Sequence, residues 1–163
     1  MNCKSTLSWL WVIGWIGFLT VSPVSGQETG FSAGFMLGEP TGMSFHTWAS
    51  AQTALDAGAA WSFSGKSALH LHVDYLYYDP GLLQVKNEPL YAYYGAGLRL
   101  KTEGDGQLGI RFPVGIQYLF DHPKIDLFAE FAPIFDLAPR TTLQLNAGIG
   151  IRYFIPVRMV RPQ

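Results

Sequence analysis

From residue 29 onwards the sequence alternates between apolar residues and a mixture of glycine, polar and charged residues. In LYAYYGAGLRLK, one set of alternate positions reads Leu, Ala, Tyr, Ala, Leu, Leu, and the other includes two glycines, an arginine and a lysine. Successive side chains of a β-strand point to opposite faces, so this period of two predicts strands. Turn residues separate the predicted strands, which cover residues 29–38, 42–49, 52–63, 68–78, 90–101, 107–120, 124–135 and 142–155.

The less apolar face of these strands distinguishes a soluble barrel, in which this face meets water, from a transmembrane barrel, in which it lines the lumen. A water-facing surface normally carries many lysines and glutamates and few glycines. Here charged residues make up 14% of the chain and there are 18 glycines, whereas soluble domains average roughly 25% charged residues. We therefore predict an all-β fold, an eight-stranded antiparallel up-and-down transmembrane β-barrel with its apolar face towards lipid. Aromatic residues near strand ends fit the two interfacial girdles: Trp48, Trp61, Tyr77, Tyr78, Tyr118 and Tyr153.

The first 26 residues have the organisation of a signal peptide. Lys4 precedes the apolar run WLWVIGWIGFLTV, and the small residues Val24 and Gly26 stand at the −3 and −1 positions before Gln27. An uncleaved membrane anchor is the alternative. The predicted division is a signal peptide at 1–26, an outer-membrane barrel at 27–156 and a C-terminal tail at 157–163. The single cysteine, Cys3, falls in the predicted signal peptide, which suits an exported chain without disulfides.

Several segments together carry a family resemblance. GEPTGMSFHTW, LHLHVDYLYYD, GIRFPVGIQYLF, LFAEFAPIFDLAP and NAGIGIRYF resemble a family of small bacterial outer-membrane β-barrels of unassigned function. More distantly they are similar to the OmpA-like eight-stranded barrels. The resemblance covers most of residues 29–155. It implies an eight-stranded barrel in the outer membrane and brings no known activity with it.

The inner face of such a barrel would hold most of the charged residues of the strands. An eight-stranded barrel is just wide enough for side chains to fill, so charges inside it must be paired. We expect a lumen charge network of Asp56, His70, His72, Asp74, Arg99, Arg111, Glu130 and Arg152, with Asp74 and Glu130 paired to the arginines. Lys101 and Asp126 share this face, which makes inner acidic and basic residues equal in number.

The motif HLHVD at residues 70–74 permits a metal site as an alternative. His70, His72 and Asp74 lie at i, i+2 and i+4 on one strand face, and His46 is a possible further ligand for zinc. A lactamase-type zinc motif would need histidine where Tyr75 stands. We therefore expect no metal and no other cofactor.

A lipid-modifying enzyme is a second alternative. Ser44 and His46 share a strand face, but no G-x-S-x-G elbow is present and nothing marks a third catalytic residue. We therefore expect the protein not to be an enzyme.

The expected role is structural or accessory: membrane integrity, a surface contact or an anchor. The expected partners are outer-membrane lipid and, during biogenesis, the barrel assembly machinery, with a monomeric barrel and no nucleic acid, since the net charge is −1. The alternative is a soluble, lipocalin-like periplasmic or secreted barrel whose apolar face encloses a hydrophobic ligand.

Overall fold

The computed structural model of the protein describes residues 30–62, 68–83, 89–102 and 106–156. The predicted signal peptide at 1–26 and the tail at 157–163 lie outside these residues. Within the described part of the chain, no helix has the length and apolar character needed to cross a membrane.

The described residues form one antiparallel sheet that closes on itself. From β1 to β6 each strand pairs with the next along the chain, β8 pairs with β9, and β1 pairs with β9. β6 and β7 occupy a single place in the ring, between β5 and β8. The result is the predicted eight-stranded up-and-down barrel. Its strands are β1 (Gly30–Glu39), β2 (Thr41–Trp48), β3 (Thr53–Ser62), β4 (Ala68–Asp79), β5 (Leu90–Lys101), β6 (Gln107–Arg111), β7 (Val114–Phe120), β8 (Ile125–Ala138) and β9 (Thr142–Pro156).

The predicted continuous strand over 107–120 is wrong in one detail, because it is interrupted at Phe112 and Pro113. Proline has no N–H to donate to a neighbouring strand, which breaks the ladder at this point. The remaining groups still bond across the gap: Phe112 N–H donates to the Pro133 carbonyl, and Gly95 N–H donates to the Pro113 carbonyl, each at 2.9 Å. The interruption therefore leaves the ring closed.

The paired residues shift along the strands from one strand to the next, so the sheet closes with a fixed stagger between its first and last strands. Starting at Gly34 and stepping from strand to strand, the paired residues are Ser44, Gly58, His72, Arg99, Gly109, Asp136 and Thr142. Gly34 itself pairs with Arg152 on β9, ten residues beyond Thr142. This stagger tilts the strands relative to the barrel axis. It also brings polar side chains from distant parts of the chain to similar heights in the interior.

The two faces of the sheet have opposite character. Large apolar side chains, among them Phe35, Leu98 and Ile149, are exposed on the outside, while Asp74, Arg99 and Arg152 are buried inside. A soluble lipocalin-like barrel would have the reverse arrangement, with its apolar face enclosed. The structure therefore matches a transmembrane barrel and does not favour that alternative.

Inner glycines make room for large side chains on neighbouring strands. A Cβ atom at Gly58 would collide with the His72 ring, and one at Gly115 would collide with Tyr93. Gly150 lies in the same way against Phe128. The glycine-rich inner face predicted from the sequence thus lets rings lie flat against the adjacent strand in a narrow barrel.

A charged side chain placed on the lipid-facing surface should lower the stability of the barrel, and by more near the middle of the membrane than near its edges. Val73 lies near the middle of β4 and is 57% exposed, and Leu143, near the start of β9, is 68% exposed. In a lipid bilayer we expect Val73→Arg to destabilise the barrel by about 2–4 kcal/mol and Leu143→Arg by about 0–1 kcal/mol. Urea unfolding in lipid vesicles measures both. Equal, negligible costs would mean that this face contacts water.

Candidate functional site

The interior of the barrel is organised around three buried arginines. The first, Arg152 on β9, donates through Nε to Asp126 Oδ1 at 2.8 Å and through Nη1 to Asp56 Oδ1. Asp56 also contacts His46 Nδ1 at 3.2 Å, and Ser32 Oγ donates to the other oxygen of Asp126 at 3.1 Å. We call Arg152, Asp56, Asp126, His46 and Ser32 the Arg152 cluster. It links β9 to β3 across the barrel, past β1 and β2.

The second arginine, Arg111 on β6, bridges two carboxylates. Its Nη1 donates to Asp74 Oδ2 on β4, and its Nη2 donates to Glu130 Oε1 on β8. Tyr93 on β5 donates from its hydroxyl to the other oxygen of Glu130 at 3.1 Å. These four residues form the Arg111 cluster. It connects three neighbouring strands to β8 from inside, independently of the backbone ladder.

The third arginine, Arg99 on β5, is held by residues from the last two strands of the barrel. Its Nη2 donates to Asp136 Oδ1 at 2.6 Å, and its Nη1 donates to Gln144 Oε1 at 3.0 Å. Thr142 Oγ1 donates to the second oxygen of Asp136 at 3.0 Å. Arg99, Asp136, Gln144 and Thr142 form the Arg99 cluster. Asp136 is a site residue that the sequence analysis missed, because the predicted strand ended at residue 135.

The residues of the expected lumen network lie inside the barrel, where each arginine has its own set of partners. Asp74 and Glu130 share Arg111, whereas Arg99 bonds to Asp136 and Arg152 to Asp56 and Asp126. Charges are not balanced within each cluster. In the Arg152 and Arg111 clusters, four carboxyl groups meet two guanidinium groups.

Two of the excess acidic residues face each other directly. Asp56 on β3 and Asp74 on β4 are register partners in the sheet, and both are buried. Like charges directly opposite on neighbouring strands are destabilising. Each carboxylate depends on its arginine, Arg152 or Arg111, and one oxygen of Asp74, Oδ1, is buried without a hydrogen-bond partner among the described residues.

The residues of the HLHVD motif do not come together as one ligand set. A group of possible metal ligands among the described residues is Asp56, His72 and Asp74, whose donor atoms lie within 4.8 Å of one another. It includes neither His70 nor His46. Both of its carboxylates already carry an arginine, so a cation there would compete with two guanidinium groups.

Ser44 and His46 lie in the interior as well. The Ser44 hydroxyl accepts a hydrogen bond from Arg152 at 3.3 Å, and His46 bonds through Nδ1 to Asp56. His46 Nε2 has no hydrogen-bond partner among the described residues, so this nitrogen does not contact the serine. A nucleophile activated by a histidine needs that hydrogen bond.

An aromatic layer lies next to the charged clusters, on the side where the chain enters and leaves the barrel. The prediction that Trp48 and Tyr78 belong to the outer girdles is wrong, because both rings pack inside the barrel as part of this layer. The rings of Trp48 and Tyr78 are 4.6 Å apart between centroids, and those of Tyr78 and Tyr93 are 5.2 Å apart. Tyr78 donates from its hydroxyl to Gln117 Oε1 at 2.6 Å. The layer thus covers the charged clusters with apolar surface while its buried hydroxyl groups remain hydrogen-bonded.

Beyond the aromatic layer the barrel opens into a cavity of about 480 Å³, which we call the vestibule. It lies at the end where β1 begins and β9 ends. Its walls are mainly apolar and aromatic, with a few polar groups, which is typical of ligand sites. The lining residues central to its chemistry are Trp48, Tyr78, Tyr91, Phe154, Asp126 and Lys124.

Comparison with solved structures supports the fold. The chain is similar to the N-terminal β-barrel domain of Pseudomonas aeruginosa OprF, with a TM-score of 0.62 and 15% identity, over 80% of this chain and 99% of that one. It is also similar to a designed transmembrane β-barrel, with a TM-score of 0.55 and 20% identity, over 81% of this chain and 100% of the design. No protein-family model matches the sequence, and no curated protein matches it significantly.

Removing the arginine that bridges two carboxylates should destabilise the barrel strongly. Arg111→Ala leaves Asp74 and Glu130 without their shared guanidinium, and breaking a buried pair in this way costs about 3–5 kcal/mol. Arg140 is exposed in the turn between β8 and β9, so Arg140→Ala should change stability by less than about 0.5 kcal/mol. Urea unfolding followed by gel migration measures both. Similar values for the two variants would contradict a structural role for the Arg111 cluster.

Proposed function

We propose that this transmembrane barrel is a structural or accessory protein of a bacterial outer membrane, with a lumen closed by the three arginine clusters. The observation that carries the proposal is the cross-linking of the interior. Arg152 on β9 reaches Asp56 on β3, and Arg99 on β5 reaches Asp136 on β8. Side chains that bridge non-adjacent strands occupy the cross-section through which ions would have to pass.

Barrel size supports a closed lumen. Eight strands enclose an interior that side chains can fill completely. Arg99, Asp74 and Gln117 are among the largest fully buried side chains, and they come from β5, β4 and β7. Opening a path through the centre would require breaking several charged hydrogen bonds at once, each stronger than a neutral one.

The proposed location rests on three features. These are the apolar outer face, the transmembrane-barrel fold and the predicted signal peptide. In the outer membrane both termini would face the periplasm. The strands at the other end are joined by short connections, such as the single residue Pro40 between β1 and β2 and residues 139–141 between β8 and β9. Short connections favour a role in membrane integrity over a large receptor surface.

The expected partners remain membrane lipid and the assembly machinery, and we propose a monomeric barrel without enzymatic activity. Ser44 and His46 are both bonded within the Arg152 cluster, which gives these two polar residues a structural role. Lipid A that is unchanged by mass spectrometry, between strains lacking and overproducing the protein, is the expected result. A change in its acyl chains would contradict this part of the proposal.

Conductance tests the closed lumen directly. The refolded protein in planar lipid bilayers should give no current steps above background. A double variant, Arg111→Ser with Arg152→Ser, shortens both central arginines and should produce steps if it folds, because the two clusters fill the same cross-section. Outer-membrane fractionation with heat-dependent gel migration establishes location and folding. Steady ion currents through the unaltered protein would reject the closed lumen.

A further inference from the structure

We infer that the vestibule is a binding site for an apolar peptide segment that carries positive charges, and that its occupant is residues 157–163 of this chain. This segment reads Val-Arg-Met-Val-Arg-Pro-Gln and follows β9 directly. The inference goes beyond the proposed function and does not depend on whether the lumen conducts. It rests on the chemistry of the vestibule walls, on the charge of the neighbouring clusters and on where β9 ends.

The walls of the vestibule suit a cation attached to apolar groups. Trp48, Tyr78, Tyr91 and Phe154 contribute aromatic rings to one cavity. Aromatic faces attract guanidinium and ammonium groups within about 6 Å of the ring centroid. One such contact is present, because Lys124 Nζ lies 5.7 Å from the centroid of Phe154. Thioethers also pack favourably on aromatic rings, as Met159 of the segment would.

The wall of the vestibule carries more acidic than basic side chains, with Asp121 and Asp126 against Lys124. The Arg152 and Arg111 clusters contain four carboxyl groups and two guanidinium groups. One of those carboxyl groups, Asp126, also lines the vestibule, so the acidic excess is adjacent to it. Arg158 and Arg161 would add two cations next to this acidic wall.

The position of the segment favours it over free ligands. β9 ends at Pro156, and Phe154, two residues earlier, is part of the vestibule wall. Seven residues span at most roughly 23 Å when extended, enough to reach into and across the mouth of an eight-stranded barrel. A tethered segment also has an effective concentration in the millimolar range for a short linker. A weak affinity is therefore sufficient for occupancy.

Quenching of Trp48 fluorescence by acrylamide tests the inference. In the chain from Gln27, Trp61→Phe removes the outer-face tryptophan and leaves Trp48, in the vestibule wall, as the sole reporter. The protein is refolded in lipid nanodiscs, so that free detergent does not fill the cavity. Truncation after Pro156 should raise the quenching constant several-fold, and Arg158→Gln with Arg161→Gln should raise it too. The matched control, Arg140→Gln, removes an exposed arginine at the opposite end and should leave it unchanged.

Addition of the segment in trans completes the test. A synthetic peptide of residues 157–163 should restore protection of Trp48 in the truncated barrel, and the peptide with both arginines replaced by glutamine should not. Equal quenching in the full and truncated chains overturns the inference. Protection by free arginine but not by the peptide would make the vestibule a small-cation site and reject the segment as its occupant. A truncated chain that shows no heat-dependent migration has not folded. In that case the quenching constant of the full-length variant with Arg158→Gln and Arg161→Gln decides the test.

Discussion

β1 and β9 pair along ten positions, from Gly30 with Pro156 to Glu39 with Ala147, and this pairing closes the sheet. In lipid there is no water to satisfy an unpaired strand edge, so closure is a condition for a β-sheet to cross the membrane. The other features of the molecule depend on it. Once the sheet is closed, the apolar alternate positions face outward and every inner side chain must share one narrow interior. The interruption at Pro113 is tolerated because the strands on both sides remain in register.

The narrow interior explains why charged residues are arranged as they are. Three arginines, on β5, β6 and β9, bond to five carboxylates from three other strands. These are Asp56 on β3, Asp74 on β4, and Asp126, Glu130 and Asp136 on β8. In a low-dielectric interior such bonds are strong and their loss is costly. Glycines on the inner face complete the arrangement by admitting the rings of His72, Tyr93 and Phe128.

The two ends of the barrel differ in a way that is relevant to function. The Arg99 cluster ties β5 to the β8–β9 end, where the connections are short. At the opposite end, the aromatic layer of Trp48 and Tyr78 gives way to an open cavity. Together with the proposed closed lumen, this cavity is suited to holding a ligand at one mouth of the barrel. The acidic side chains in its wall, Asp121 and Asp126, favour a cationic ligand.

The sequence by itself determined the strands, their number and which face of each meets lipid, because a period of two is a local property of the chain. It also identified Asp56, Asp74, Arg99, Arg111, Glu130 and Arg152 as inner residues for the same reason. The partners of those residues were decided by the tertiary structure. The register of neighbouring strands places Arg99, Gly109 and Asp136 on one line across β5, β6 and β8, so Arg99 meets Asp136, a residue beyond the predicted end of its strand. The vestibule and the local excess of carboxyl groups depend on this register and on closure of the sheet, since neither is a property of any one strand.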